Sequence, residues 1–286
     1  MRRGEQTAEE MTEQTTMTGG IFGRAFVDLE PYVDLDELAA LDDEITLGLT
    51  EVPVSYTGGS HKWMGIVPPS TEDDRYVDYG QVIAGMSRSE FGRFVALSDT
   101  PEAFDLDRRQ RYEFGEERPW PLSRRQMLYL EYRHGVYFPW KVYYELCPNL
   151  VWEERAAGAG KAFTDEARRV FPRTIAFIER LPFLHIGRCN LLGLQSNDHG
   201  TIHRDGEDEA AVGHFVTLCP RGDKRLFLWD EERRRALPVP GRAYWFDDRN
   251  YHGVAADPFF RYSIRVDGVF RPDFLARLEG DLRGAA

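Results

Sequence analysis

From Phe183 onward the chain breaks into short runs of β-branched, aromatic and aliphatic residues, each ended by turn formers. The runs are His185–Gln195, Gly213–Leu218, Arg225–Trp229, Arg242–Phe246 and Arg261–Phe270. Pro220, Gly222-Asp223, Pro240-Gly241 and Asp247-Asp248 punctuate them. No helical pattern separates them, so they predict an antiparallel sandwich or barrel. The preceding sequence is different. Ser87 to Leu97 and Leu122 to Tyr132 have helical texture, and Ala156 to Leu181 places Phe163, Ala167, Val170, Ile175 and Ile178 at helical spacing. Pro172 should break or kink that last helix. The expected organisation is a disordered tail over 1–20 and a mixed supporting and pocket-forming segment over 21–182. A β-core over 183–275 and a C-terminal tail over 276–286 complete it.

Bulk properties narrow the classes of function. A hydrophobic fraction of 42% is ample for a packed core. A net charge of −12 argues against a nucleic-acid surface, which needs clustered Lys and Arg. Cys147, Cys189 and Cys219 form an odd set without a CxxC pair, which predicts buried thiols in a reducing compartment. No apolar run approaches the roughly 20 residues that span a bilayer, and Met1 to Gly20 lacks the apolar stretch of a signal peptide. The expectation is a soluble cytoplasmic protein.

Within the β-region stands His203-Arg204-Asp205, and His252 follows 49 positions after His203. In an extended segment residues i and i+2 project to one face. His203 and Asp205 can therefore point together into a barrel mouth while Arg204 points away. His252 lies beyond Pro240 to Asp248, which reads as turn, buried strand and polar loop and so returns to the same mouth. Two imidazoles and a carboxylate, with three positions open, suit iron(II) that must also bind a co-substrate and oxygen. Zinc more often takes three ligands and a water in a tetrahedron. HxD also arises by chance, and a histidine after a strand is commonly structural. The next strand tips the balance.

Nine positions after His252, Arg261-Tyr262-Ser263 opens the last run. Period two sets Arg261, Ser263 and Arg265 on one face and Tyr262, Ile264 and Val266 on the other. The apolar trio faces a core layer, so the polar trio looks into a wet cavity or into solvent. An inward arginine is the natural partner of a remote carboxylate, because its planar fork makes two parallel charge-assisted hydrogen bonds. Ser263 can add a third. An exposed edge strand with solvated Arg and Ser is the plain alternative. His214 is either a further inward residue or a core histidine.

The pattern of HxD, a distal His and RxS nine positions on resembles the double-stranded β-helix superfamily of iron(II)/2-oxoglutarate dioxygenases. The stretch Gly241 to Val254, with Phe260-Arg261 and Val266-Asp267, is similar to its aspartyl/asparaginyl β-hydroxylase group, as is Pro172 to Pro182. Free-proline cis-3-hydroxylases are similar too, through the HRD motif and through Gly59 to Trp63 with Asp74-Arg75-Tyr76. The likeness covers roughly Phe171 to Phe274. The best-known peptide hydroxylases of the group lack the carboxylate that Asp205 provides, and their arginine is replaced here by Val212. The first departure pulls the chain towards the amino-acid hydroxylases, and the second leaves carboxylate binding to other residues.

The resemblance implies a mainly β fold with flanking helices around a double-stranded β-helix (jelly-roll, cupin-like) core. It implies iron(II) on His203, Asp205 and His252, and 2-oxoglutarate with its far carboxylate on Arg261 and Ser263 and a contact from His214. Oxygen is the co-substrate and hydroxylation of an unactivated C–H the outcome; the carboxylate at Asp205 argues against halogenation. The substrate expected is a free amino acid, with a peptidyl Asp, Asn or Pro residue as the alternative and a non-oxidative cupin-like isomerase or binding protein as the rival. Arg188, Arg204 and Arg265 are the candidates for the substrate carboxylate, and Glu207 for its ammonium. The aromatic-rich stretch Arg111 to Asn149, with His61-Lys62-Trp63, is expected over the mouth or as a layer packed outside the β-core.

Overall fold

The computed structural model describes residues 17, 19–57, 77–114, 120–138, 140–149, 151–206 and 211–284. Most of the tail expected over 1–20 lies outside them, as do Gly59 to Trp63 and Asp74-Arg75-Tyr76. Two antiparallel sheets and flanking helices make up the described structure. The larger sheet runs β1 (Phe26–Asp28), β9 (Ala243–Phe246), β6 (His214–Leu218), β11 (Arg261–Phe270), β4 (Phe183–Leu194), β3 (Trp140–Cys147), β2 (Ser55–Thr57). The smaller runs β5 (Gly200–His203), β10 (His252–Val254), β7 (Leu226–Asp230), β8 (Arg235–Pro238). Counted from β4, the first, third, sixth and eighth strands join the large sheet and the other four the small one.

Side-chain alternation gives the large sheet two unlike faces. Tyr262, Ile264 and Val266 of β11 share a face with Leu191 and Cys189 of β4, their register partners being Gly193, Leu191 and Cys189. All are buried in the main apolar core. Helices α1 (Leu35–Ala39) and α2 (Asp42–Glu51) contribute Leu38 and Ile45 to that core, and α6 (Asp165–Val170) and α7 (Pro172–Ile178) contribute Ala167 and Ile175. The opposite face carries Ser263, Arg265, Asp267, Asn190 and Thr217 and turns towards the small sheet.

The helix predicted over 156–181 is two short ones. Phe171 leaves helical geometry at φ −122°, ψ 46°, and Pro172 restarts the helix at its first position, where its missing N–H is no loss. Residues 156–164 are not helical, since Gly160 sits at φ +72° and Thr164 caps α6 by accepting from Ala167 N. At the other end, residues 276–284 are not a tail but continue α8 (Pro272–Gly284), because Phe274 and Leu278, one turn apart, are buried against the core.

A second apolar core lies in residues 77–138, around α3 (Tyr79–Gly85), α4 (Arg88–Val95) and α5 (Arg124–His134). Ser87 caps α4, and Ser123 with Gln126 forms a capping box on α5, which Gly135 ends at φ +68°. Tyr112, Phe114 and Phe138 of the aromatic-rich stretch are buried here, with Trp120 and Tyr129 against them. Those aromatics therefore form a core of their own. Tyr144 belongs to the main core, and Tyr132 is 80% exposed. Among the described residues no helix is long and apolar enough to cross a membrane, and the three cysteines are free and buried.

Candidate metal centre

β5 and β10 are neighbours in the small sheet, and His203 and His252 are direct register partners. Their rings lie 4.5 Å apart between centroids. Asp205, two residues past His203, brings a carboxylate to the same face. One ligand atom from each of the three residues lies within 4.8 Å of the others. The neighbouring backbone fixes the ring orientations. His203 Nδ1 donates to Thr201 O at 2.8 Å and His252 Nδ1 to Asn250 O at 2.9 Å. Since a carbonyl only accepts, each ring keeps its proton on Nδ1 and turns Nε2 into the site. Phe246 walls off His252 edge-on, with centroids 4.8 Å apart.

The electrostatics of the cluster favour a cation. Burial works against ionising Asp205, yet the His203 hydrogen bond and the charges of both histidines and Arg265 hold its carboxyl well below the usual range. For His203, burial disfavours the proton, but the hydrogen bond and charge of Asp205 outweigh it and raise its pKa. His252 is pushed down to about 3, by burial and then by the charge of His203. The pocket thus holds one carboxylate and one imidazole ready as neutral ligand, and room for one positive charge between them.

Arg265 ties the large sheet to this centre. It is 7% exposed, and its guanidinium donates to Asp205 Oδ2 at 3.2 Å, Asp248 Oδ2 at 2.7 Å and Asp267 Oδ1 at 3.1 Å. It also lies 3.9 Å over the Phe215 ring. Arg188 donates to Asp267 Oδ2 at 3.0 Å, and Arg155 approaches Asp248 at 3.5 Å. Three arginines face three aspartates here, and charges buried in such pairs are retained because each has its partner. The outer oxygen of Asp205 is therefore held, which leaves the inner one for a ligand role.

Two residues along the same strand face, Ser263 is fully buried and accepts from Lys224 Nζ at 2.6 Å. Lys224 is 4% exposed, and its ammonium lies 4.4 Å from the centroid of the Trp140 ring. Among the described residues it has no carboxylate partner. Burial pulls its pKa down to about 8. A lysine in the turn Gly222-Asp223-Lys224 reads as solvated in the sequence, so nothing there marks it.

The remaining expected residues are placed as follows. Arg261 pairs with Asp257 and donates to Asp223 O, beside the Phe259 ring. His214 is not brought to the metal face. It opens β6 opposite Gly268, its Nδ1 accepts from Phe270 N at 3.1 Å, and its ring stacks on Phe270. Burial lowers its pKa, in keeping with that neutral acceptor role. Arg204 turns away from the cluster and lies over the Tyr251 ring at 5.2 Å. Glu207 lies outside the described residues. Tyr137 stacks on His199 and exchanges two hydrogen bonds with its backbone, which fastens the helical core to the loop leading into β5.

No family model matches the chain, and no curated protein does. Solved structures give partial likenesses. One is an oxidoreductase of the 2OG-Fe(II) oxygenase family from Burkholderia pseudomallei, 12% identical, with 45% of this chain and 70% of that chain covered and a TM-score of 0.30. Another is a prolyl hydroxylase from Trichoplax adhaerens, 15% identical, covering 43% of this chain and 63% of that one at a TM-score of 0.25. A third is AviO1 from Streptomyces viridochromogenes, 14% identical, covering 51% and 80% at a TM-score of 0.27. Scores of this size leave the function to be argued from the site itself.

Proposed function

We propose that the chain is an iron(II)/2-oxoglutarate-dependent oxygenase that hydroxylates an unactivated C–H of an amino acid. The observation that carries this is the convergence of His203, Asp205 and His252, two Nε2 atoms and one carboxylate on adjacent strands, within 4.8 Å. Two imidazoles and a carboxylate on one side of a cation leave its other positions open, the arrangement that suits iron(II) with a bound co-substrate. The alternation of strands between two antiparallel sheets supports the jelly-roll part of this reading. When bound, iron(II) supplies oxygen activation coupled to decarboxylation of 2-oxoglutarate.

The protein's part is to hold and to orient. Arg265 fixes Asp205, and the Thr201 and Asn250 carbonyls fix the two imidazoles. The far carboxylate of 2-oxoglutarate is assigned to Lys224 and Ser263. A buried ammonium without an acid partner is costly, and an anion there relieves it. Arg261, the residue the motif favours for this role, belongs to the rim of the same subsite, where Asp257 holds it.

The test is anaerobic iron(II) titration followed by oxygen uptake with 2-oxoglutarate. One equivalent of iron should bind, and oxygen consumption should require 2-oxoglutarate and release carbon dioxide in equal amount. His252→Ala should lose both. Iron binding without any 2-oxoglutarate-dependent oxygen uptake would refute the assignment.

A further inference from the structure

We infer that Arg155 receives the carboxylate of the substrate, which is therefore an amino acid with a free carboxylate end. This deepens the oxygenase reading and rests on it. The sequence puts Arg188 and Arg265 forward for this role, but aspartates hold both. Arg188 donates to Asp267 at 3.0 Å, and Arg265 donates to Asp205, Asp248 and Asp267 at 2.7 to 3.2 Å. Arg155 makes only long contacts among the described residues. Its nitrogens lie 3.5 Å from Asp248 Oδ2 and 3.8 Å from Asp267 Oδ1, and it donates to Trp152 O at 3.5 Å. A guanidinium has five N–H donors, and charge-assisted hydrogen bonds settle at about 2.7–2.9 Å, so those of Arg155 are underused. Its side chain is 17% exposed, against 8% for Arg188 and Arg265, which makes it the arginine a ligand can reach.

The position of Arg155 is nonetheless fixed. Its carbonyl accepts from Arg188 N at 2.7 Å, and a Cβ on Gly187 of β4 would lie 2.1 Å from that oxygen. Its guanidinium lies 4.3 Å over the Trp152 ring, a contact that holds a planar cation in place. A group ordered in advance loses little freedom on binding. Ion pairs connect it to the metal cluster. Arg155 Nη2 and Arg265 Nη2 approach the same oxygen of Asp248, at 3.5 and 2.7 Å, and Arg265 Nη1 holds Asp205 Oδ2 at 3.2 Å. Arg155 is thus one aspartate and one arginine away from a metal ligand, within reach for a ligand of amino-acid size. With Asp205 serving a metal ion, the three arginines face two aspartates, Asp248 and Asp267, and one positive charge is left for an anion. A carboxylate offers two oxygens to the arginine fork, whereas a carboxamide offers one and no charge.

The decisive experiment is calorimetric binding to the iron-loaded protein with 2-oxoglutarate, using the twenty free L-amino acids and their C-terminal carboxamides. At least one free amino acid should bind, with its carboxamide weaker on the order of ten- to a hundredfold, as loss of a charged hydrogen bond implies. Arg155→Met should weaken the acid by a similar factor and leave the carboxamide unchanged. Arg155→Lys, which keeps the charge without the fork, should recover only part of the loss. Both variants should bind 2-oxoglutarate as the wild type does, because Asp248 and Asp267 keep Arg265 and Arg188 as partners and the Lys224 subsite is untouched. Equal binding of acid and carboxamide, binding by none of the free amino acids, or an Arg155→Met variant with unaltered affinity would overturn the assignment. So would an Arg155→Met variant that loses 2-oxoglutarate as well, since that reports a structural role. Carboxylate-dependent binding through Arg155 in a protein that never consumes 2-oxoglutarate would uphold this site while removing the oxygenase function.

Discussion

Lys224 is the residue at which stability and binding pull hardest against each other. Its ammonium is buried beside Ser263 and the Trp140 ring with no acid among the described residues to answer it. Replacing such a charge by an apolar side chain of similar length is often stabilising, by about 1–4 kcal/mol. Lys224→Met is therefore expected to raise the melting temperature of the metal-free protein while weakening 2-oxoglutarate binding a hundredfold or more, on the order of 3 kcal/mol. Differential scanning calorimetry and isothermal titration read the two effects separately. The pH dependence follows from the same burial. The folded pKa, about 8, lies below the ordinary 10.5, so the unfolded chain holds more protons between those values. In the absence of an anion, Lys224 adds stability as pH rises from about 8 towards 10.5. Co-substrate binding runs the other way: its affinity should fall above about pH 8 in the wild type, and the part due to this lysine should be absent from Lys224→Met.

Among the elements, α7 is capped from a distant part of the chain. Pro172 opens it, and no residue of its own caps it. Glu44 of α2 does so from 130 positions away, accepting from Thr174 N at 2.8 Å and Thr174 Oγ1 at 2.7 Å with one oxygen, and from Arg173 N at 3.0 Å with the other. The two helices are also packed closely, since a Cβ on Gly48 would come within 2.3 Å of the Phe171 ring. Glu44→Ala should cost about 1–2 kcal/mol, the scale of a lost helix cap, measured by urea denaturation. Activity per folded molecule should stay as it was, because α2 and α7 pack on the face of the large sheet turned away from His203, Asp205 and His252.

For the whole molecule, the two apolar cores make local stability uneven. Ligands at His203, Asp205 and His252 act on the two sheets directly, and on the core of residues 77–138 only through contacts such as Tyr137 with His199. Iron(II) with 2-oxoglutarate at a hundred times its dissociation constant should stabilise the protein by about 2.7 kcal/mol, roughly 5–10 °C for a chain of this size. Hydrogen exchange should slow most at β5, β10 and β11 and least at α4. Equal protection throughout would mean that the cores unfold as one unit.

The β-rich second half, the break at Pro172 and the grouping of His203, Asp205 and His252 were all legible in the sequence. Period-two alternation, turn formers and the restriction on proline are local rules, and they act in any context. HxD on an extended segment puts two side chains on one face whatever the remainder of the chain does. Tertiary structure decided what depends on distant partners. β1 and β2 are three residues each and exist as strands because the large sheet pairs with them, whereas the strand-forming Trp140, Val142, Tyr143 and Tyr144 of β3 are a local signal that the aromatic-rich reading of this stretch does not use. His214 has the spacing of a co-substrate ligand, but its place in the register turns it to Phe270. Arg261 has the right motif and meets Asp257, while Lys224, without any motif, is buried beneath Trp140 against Ser263. The reason is the same in each case. Spacing along a strand fixes which face a side chain takes, but only packing against other elements fixes which charge it meets and how much water it loses.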